Sequence, residues 1–174
     1  MEKATFAGGS FWAIENAFAG LNGVISTRVG YTGGHVPDPT HEQVRSGQTG
    51  HAEAVEITFD PARISYDDLL EVFWSTHDPT QLNRQGADIG TAYRSEIFYH
   101  SADQCDAARR SRTVQSKMKR FRNAIVTELQ AAGPFYPASE SHQHFLAKER
   151  AHNRPLSPPI SESTFASRDR RTTK

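Results

Sequence analysis

Two alternating runs and one helical run stand out in the pattern of apolar and polar positions. Lys3–Phe6 and the longer His51–Phe59 alternate polar and apolar residues, which is typical of half-buried strands. Between them, after Gly8-Gly9, the apolar residues recur every three or four positions, as in an amphipathic helix. This helical stripe consists of Phe11, Ile14, Phe18 and Leu21. Ser10 directly precedes the stripe, where helix N-caps are usually found.

The rest of the chain repeats the same two patterns. Further strands are predicted at Val24–Tyr31, Tyr93–Tyr99 and Ile125–Leu129. Further helices are predicted at Tyr66–Thr76, Ala102–Phe121 and Ser141–His152. Residues 36–40, which contain two prolines, and the polar residues 77–90 are predicted to be loops. This order of elements favours an α+β fold, a two-layer sandwich of a mixed or antiparallel sheet with helices on one side.

Composition and charge narrow the classes of protein to which the chain can belong. Its 174 residues fit one domain, and 36% hydrophobic residues are enough for a packed core. Twenty basic and twenty acidic residues cancel, so no overall field attracts nucleic acid or an anionic membrane. No apolar run approaches the ~18 residues of a membrane span. The N-terminus lacks the basic and apolar regions of a signal peptide, so we expect a cytoplasmic location.

The C-terminal residues differ in composition from the rest of the chain. We divide the sequence into a domain of residues 1–154 and a proline-containing, basic tail of residues 155–174. Residues 168–174 carry four basic side chains and one acidic side chain. We interpret this end as solvated rather than as a binding arm.

The residue types that bind metals are present in patterns that do not favour a metal site. Cys105 is the only cysteine, which excludes an internal disulfide and a cysteine-rich zinc site. The triplet His51-Ala52-Glu53 lacks the later P-C-x-x-C that zinc deaminases require. His142 and His144 are two residues apart and lack the i, i+4 spacing of ligands on one helix face. We therefore expect no bound metal.

The turn before the first helix is a candidate for chemistry. Ser10 lies between a glycine pair and a helix, where backbone N–H groups and the helix dipole stabilise an anion. The alternative is an ordinary N-cap serine. Because consecutive helix residues point ~100° apart, Phe11 and Trp12 cannot face the core equally. One of these aromatic rings is expected to be partly exposed beside Ser10, the alternative being that both lie in the core.

Two further polar residues accompany apolar strand sequences. Glu53 lies within the alternating run at residues 51–59, and burial there would raise its pKa from ~4.3 and make it a general acid. The alternative is a carboxylate that faces solvent. Tyr93 follows Asp88-Ile89-Gly90 and can supply a hydroxyl donor.

Four segments together closely resemble one family, the A type of peptide methionine sulfoxide reductases. They are GGSFWAIENAF, VGYTGGHVPDPTHEQVRSGQTGHAEAV, FWSTHDPTQLNRQGADIGTAYRS and, more weakly, FYPASESHQHFL. The resemblance extends from residue 5 to about residue 150. It implies a mixed sandwich around a ferredoxin-like sheet core with flanking helices. It also implies reduction of the S epimer of methionine sulfoxide, free or in proteins.

The resemblance also implies roles for the catalytic residues. In the family a cysteine thiolate at the helix N-terminus attacks the sulfoxide sulfur, and Ser10 stands in its place. Glu53, in GHAE, matches the glutamic acid that protonates the sulfoxide oxygen. Asp88 and Tyr93, in D-x-G-T-x-Y-R, match further polar residues of the pocket.

Three more positions match residues that bind the substrate. Phe11 and Trp12 match the pair that holds the substrate methyl group. His41 stands where the family has a second tyrosine in N-P-T-Y. The resemblance implies no bound cofactor. Because the chain lacks a resolving cysteine, an external thiol such as thioredoxin or dithiothreitol would be the reductant of a form with cysteine at position 10.

The serine at position 10 is expected to prevent turnover. Sulfur accepts the oxygen and becomes a stable sulfenic acid, whereas a serine oxygen would have to form a peroxide. A serine hydroxyl is also barely ionised near neutral pH. Cys105 lies in none of the four matching segments and is not expected to replace the missing thiol. Ser10 is either a deliberate replacement of cysteine, which preserves shape, or the mark of a natural divergent member.

A natural serine form leaves two other functions open. The first is a module that binds methionine sulfoxide or a related small polar ligand without reducing it. The second is a hydrolase or acyl transferase that uses Ser10 as nucleophile, with His41 or His51 as base.

Overall fold

In the computed structural model, which describes residues 1–153, the chain forms an α+β fold, as the sequence predicts. The strands are β1 (Glu2–Ala7), β2 (Val24–Thr32), β3 (Ala52–Phe59), β4 (Arg84–Gln85), β5 (Asp88–Ile89), β6 (Glu96–Tyr99), β7 (Glu128–Ala131) and β8 (Tyr136–Pro137). The α-helices are α1 (Phe11–Phe18), α2 (His41–Arg45), α3 (Tyr66–Thr76), α4 (Ala102–Lys117) and α5 (Phe145–His152). Short 3₁₀-helices span Thr91–Tyr93 and Glu140–His142.

Six strands form one mixed sheet, in the order β7-β6-β1-β3-β2-β8. All neighbouring pairs are antiparallel except β6 and β7. The central strands β1 and β3 pair so that Phe6 lies opposite Val55. Strands β4 and β5 form a separate hairpin. None of the helices within residues 1–153 is long and apolar enough to cross a membrane.

The main core lies between this sheet and the helices α1, α3 and α4. Alternate residues of β3, Val55 and Ile57, face the helices and are fully buried. Phe6 of β1 stacks on Phe18 of α1 at 5.4 Å and on Phe73 of α3 at 5.0 Å. Burial of each such side chain stabilises the fold by ~1.5–3 kcal/mol. This packing fixes α1 relative to the sheet.

Gln143 ties the C-terminal part of the domain to the edge of the sheet. Its side-chain nitrogen donates to the carbonyl oxygens of Val29 (2.8 Å) and Ala138 (2.9 Å). Its side-chain oxygen accepts from the Val29 N–H at 2.8 Å. The carboxamide thus pairs with β2 as a peptide group of a neighbouring strand would.

Several predicted boundaries are wrong, and Tyr93 is the one that matters for the site. Tyr93 belongs to a 3₁₀-helix that follows Gly90 (φ +136°), and the strand begins only at Glu96. The helix predicted at Ala102–Phe121 ends at Lys117, because Lys119 takes a left-handed conformation (φ +52°).

Two C-terminal elements are also shifted from their predicted positions. The strand predicted at Ile125–Leu129 is Glu128–Ala131, and the helix predicted from Ser141 begins at Phe145. The proposed tail, residues 155–174, lies outside the described residues.

Candidate active site

The turn that joins β1 to α1 brings Ser10 to the surface of a cavity. Gly9 has φ +86°, which favours glycine, and a Cβ added to it would lie 2.9 Å from the side chain of Gln85. The Gly9 N–H donates to the carbonyl oxygen of Tyr93 at 3.2 Å. Ser10 occupies the N-cap position, but its hydroxyl makes no capping hydrogen bond. The turn therefore presents Ser10 and also anchors the segment that carries Tyr93.

A cavity of about 310 Å³ opens beside this turn. It is lined by Ser10, Trp12, His41, Arg45, Glu53, Asp88 and Tyr93. Six of the seven residues predicted for the site are thus brought together. The seventh, Phe11, does not line the cavity but is fully buried, with its ring 5.8 Å from that of Trp12.

Arg45 is the lining residue that the sequence analysis missed. It ends the short helix α2, four positions after His41, so both side chains share one helix face. Val44 anchors this helix in the core with no exposed surface. The i, i+4 spacing from His41 was the available signal, but it has meaning only once α2 is known to be helical.

Phe11 and Trp12 divide between core and cavity, so the alternative that both lie in the core is wrong. Phe11 is completely buried, whereas Trp12 is partly exposed. The indole ring of Trp12 stacks on Phe145 of α5 at 4.3 Å. Its Nε1 finds no hydrogen-bond partner among residues 1–153. Trp12 thus presents an apolar ring to the cavity, and its packing on Phe145 holds that ring in place.

Glu53 is buried at the base of the cavity, and the alternative of a solvent-facing carboxylate is wrong. Its residue surface is 2% exposed, and it shares the helix-facing side of β3 with Val55 and Ile57. Burial raises the pKa of Glu53 to about 7. The Phe11 backbone N–H, a hydrogen bond to Tyr93 and the charge of Arg45 act against this rise.

The carboxyl group of Glu53 is suited to proton transfer near neutral pH. A group whose pKa is about 7 exists as both acid and base there. Its Oε2 has no hydrogen-bond partner within the described part of the chain. Burial and the nearby Glu53 raise the pKa of Tyr93, so its hydroxyl keeps its proton. The cavity thus offers one acid and one hydroxyl donor side by side.

His41 faces the cavity and belongs to an aromatic cluster. Its Nδ1 lies 3.1 Å from the hydroxyl oxygen of Tyr31, and its ring lies 4.7 Å from that of His142. Burial lowers the pKa of His41, and His142 and Arg45 lower it further. His41 is therefore mostly neutral at pH 7.

His51 is not available as a base for Ser10. Its residue surface is 2% exposed, and it does not line the cavity. Its Nδ1 accepts from the Gly34 N–H at 2.9 Å, and its Nε2 lies 2.6 Å from the Val36 carbonyl oxygen. With both ring nitrogens bound to the backbone, only His41 remains as a base beside Ser10.

Other groups considered from the sequence lie away from the cavity or serve structure. A larger cavity of about 520 Å³ lies at the starts of α3 and α4, but none of the predicted site residues lines it. Cys105 lies on α4 and lines neither cavity. His144 pairs with the buried Glu15 at 3.3 Å. Across residues 1–153, no group of three or more His, Cys, Asp or Glu side chains is placed to hold a metal ion.

Comparison with known proteins points to one family. The family model described as peptide methionine sulfoxide reductase matches residues 2–172. The peptide methionine sulfoxide reductase MsrA of Methanothermobacter thermautotrophicus is 58% identical over 147 residues, which are 84% of this chain and 87% of that protein.

Solved structures agree with the sequence comparison. Methionine sulfoxide reductase A of Corynebacterium diphtheriae matches with a TM-score of 0.73 and 33% identity, over 95% of this chain and 81% of that one. Mxr1 from Saccharomyces cerevisiae in its reduced form matches with a TM-score of 0.80 and 29% identity, over 91% of this chain and 89% of that one.

Proposed function

Since the chain belongs to the peptide methionine sulfoxide reductase family, we propose that its cavity binds the S epimer of methionine sulfoxide and that Ser10 stops the reaction at binding. The observation that carries this proposal is that Ser10, Trp12 and Glu53 line the same cavity. In it the apolar ring of Trp12 receives the substrate methyl group. The protonated Glu53 and the Tyr93 hydroxyl donate to the sulfoxide oxygen.

The missing step is transfer of the sulfoxide oxygen. With cysteine at position 10, the thiolate attacks the sulfoxide sulfur and Glu53 protonates the oxygen. Methionine leaves reduced by two electrons, and the cysteine becomes a sulfenic acid. Serine cannot follow this route, since the corresponding product is a hydroperoxide. In the cysteine form a dithiol from outside the chain, thioredoxin in a cell or dithiothreitol in an assay, then reduces the sulfenic acid. The oxygen leaves as water, the dithiol becomes a disulfide and the cysteine thiol is restored.

The main test is Ser10→Cys, assayed with dithiothreitol and with each sulfoxide epimer separately. We expect methionine to form from the S epimer and not from the R epimer, while the serine chain forms none. Calorimetric titration of the serine chain should show that it binds the S epimer. Absence of both binding and epimer-selective turnover would falsify the proposal.

A second candidate is hydrolysis or acyl transfer by Ser10, because His41 lines the same cavity. A fluorophosphonate probe distinguishes the two, since a nucleophilic serine would be modified at Ser10. We expect no modification, because within the described residues His41 hydrogen-bonds to Tyr31 and not to Ser10, so it is not placed to take the proton of the serine hydroxyl. The genomic codon at position 10 separates a replaced cysteine from a natural serine. A cytoplasmic location, proposed from the sequence, would supply the reduced thiols that a cysteine form needs.

A further inference from the structure

Two side chains of opposite charge, Arg45 and Asp88, line the cavity and are exposed to solvent. Neither forms an ion pair with any residue in the described range 1–153. The base of the cavity differs, because it presents the buried Glu53 and the ring of Trp12. A ligand whose apolar end reaches the base therefore leaves its other end between a cation and an anion.

Arg45 is held in this position by the helix that carries it. The side-chain oxygen of Thr40 accepts from the backbone N–H of Gln43, and the side-chain oxygen of Gln43 accepts from the backbone N–H of Thr40. These two hydrogen bonds fix the start of α2. Val44 fixes its other end in the core. The positive charge of Arg45 lies near the hydroxyl of Tyr93 and acts to lower its pKa. The fixed helix therefore places Arg45 at the cavity.

We propose that Arg45 binds the α-carboxylate and Asp88 the α-ammonium group of free methionine sulfoxide, so that the free amino acid is preferred over an internal peptide residue. This inference rests on the proposed function of the cavity. A guanidinium donates two parallel hydrogen bonds to a carboxylate, a fit that a neutral peptide carbonyl cannot match. An internal residue of a protein carries neither charge. The pair at the cavity mouth therefore discriminates by the ends of the ligand and not by its sulfoxide.

The test is calorimetric titration of the chain with four forms of L-methionine-S-sulfoxide. They are the free amino acid, the N-acetyl derivative, the C-terminal amide and the derivative blocked at both ends. We expect the free form to bind about tenfold more tightly than the doubly blocked form. Arg45→Gln should remove the advantage of a free carboxylate, so that the free amino acid and the C-terminal amide bind with similar affinities. Asp88→Asn should remove the advantage of a free ammonium group in the same way.

Controls separate this inference from the function on which it rests. Arg109→Gln removes an exposed arginine from α4, outside the cavity, and should change none of the four affinities. Equal weakening of all four ligands by Arg45→Gln would mean that Arg45 acts on the sulfoxide end of the ligand, directly or through Glu53 and Tyr93, and would overturn the inference. Equal binding of all four by the unchanged chain would overturn it too. If none of the four binds, the proposed function itself fails, and this inference with it.

Discussion

The cavity has a floor and a rim, and each carries a carboxyl group, one buried and the other exposed to solvent. The floor presents Glu53, which is buried, and the rim presents Arg45 and Asp88, which are exposed. Removal from water raises the pKa of Glu53, and the negative charge of Asp88 adds to this rise. At the floor, burial therefore alters proton affinity, whereas the rim offers full charges to whatever enters.

This contrast indicates that proton donation and recognition of a charged ligand end take place in different parts of the cavity. A carboxyl group donates a proton near neutral pH when burial disfavours its charged form. Glu53 is buried in this way between the sheet and α1. Recognition of a charged ligand end needs charges that are not already neutralised by the protein. Four predictions test this division, and the largest expected effect comes first.

Loss of the floor acid should have the largest effect on the reaction. In Ser10→Cys protein, Glu53→Gln keeps the shape of the side chain but removes the proton that the sulfoxide oxygen needs. We expect the rate of sulfoxide reduction to fall by ~10²–10⁴-fold. The same carboxyl-to-amide change at Asp88 should cost much less, because the rim does not donate that proton. Similar losses at the two positions would contradict the division into floor and rim.

The same floor residue should make stability depend on pH. Because its pKa is raised in the folded chain, Glu53 loses its proton more easily after unfolding, so stability falls as pH rises from about 4.5 to about 7. Summed over that window the loss is ~3 kcal/mol, and Glu53→Gln should abolish it. Urea unfolding at pH 5 and pH 8 measures the difference. Glu42→Gln, at an exposed position of α2, controls for the loss of a negative charge.

The turn that joins β1 to α1 beside the cavity can be tested separately. Gly9→Ala should destabilise the chain by ~1–3 kcal/mol, since it combines φ +86° with a Cβ 2.9 Å from Gln85. Gly20→Ala is a matched control, because Gly20 has φ +88° and no atom within 4 Å of an added Cβ. Urea unfolding of both variants isolates the contact with the hairpin. Equal losses would show that this contact is unimportant.

His41 should have the smallest effect, visible only in a pH profile. A protonated imidazole donates a stronger hydrogen bond to the sulfoxide oxygen, so affinity should rise as pH falls. Because burial lowers the pKa of His41 from its ordinary value of 6.5, this rise in affinity should lie below pH 6.5. Glu53, whose pKa is about 7, changes its protonation between pH 8 and 6 and adds a pH dependence of its own there.

Titration of the chain and of His41→Phe over pH 5–8 separates the two groups. Both proteins should share the rise near pH 7 that Glu53 causes. Only the histidine form should gain a further few-fold in affinity at lower pH. Identical profiles would place His41 outside the ligand contacts.

Periodicity in the sequence was sufficient for the regular elements. The helix Tyr66–Thr76 has the predicted bounds, because its apolar stripe and its capping residue Ser65 agree. Glu53 could be expected inside, since strand alternation places it on the same face as Val55 and Ile57. Its role came from motif resemblance, which no periodicity supplies.

The irregular parts of the site could not be predicted from periodicity. Helix α2 has only five residues, too few to show a period, so Arg45 was not recognised as a neighbour of the cavity. Tyr93 looked like the start of a strand because an apolar run follows it. Its 3₁₀ turn depends instead on Gly90 and on the hydrogen bond from Gly9 to its carbonyl oxygen. Such contacts exist only between distant segments.

The carboxamide of Gln143 also has a consequence for how the protein behaves in a crowded solution. The free edge of a β-sheet is a template on which another chain can add a strand. At Val29 both backbone hydrogen-bonding groups are occupied by Gln143, and the neighbouring Gly30 and Tyr31 are paired with β8. At the opposite edge the outermost strand, β7, is only four residues long. One amide side chain thus helps to keep the sheet from recruiting a partner and growing into an aggregate.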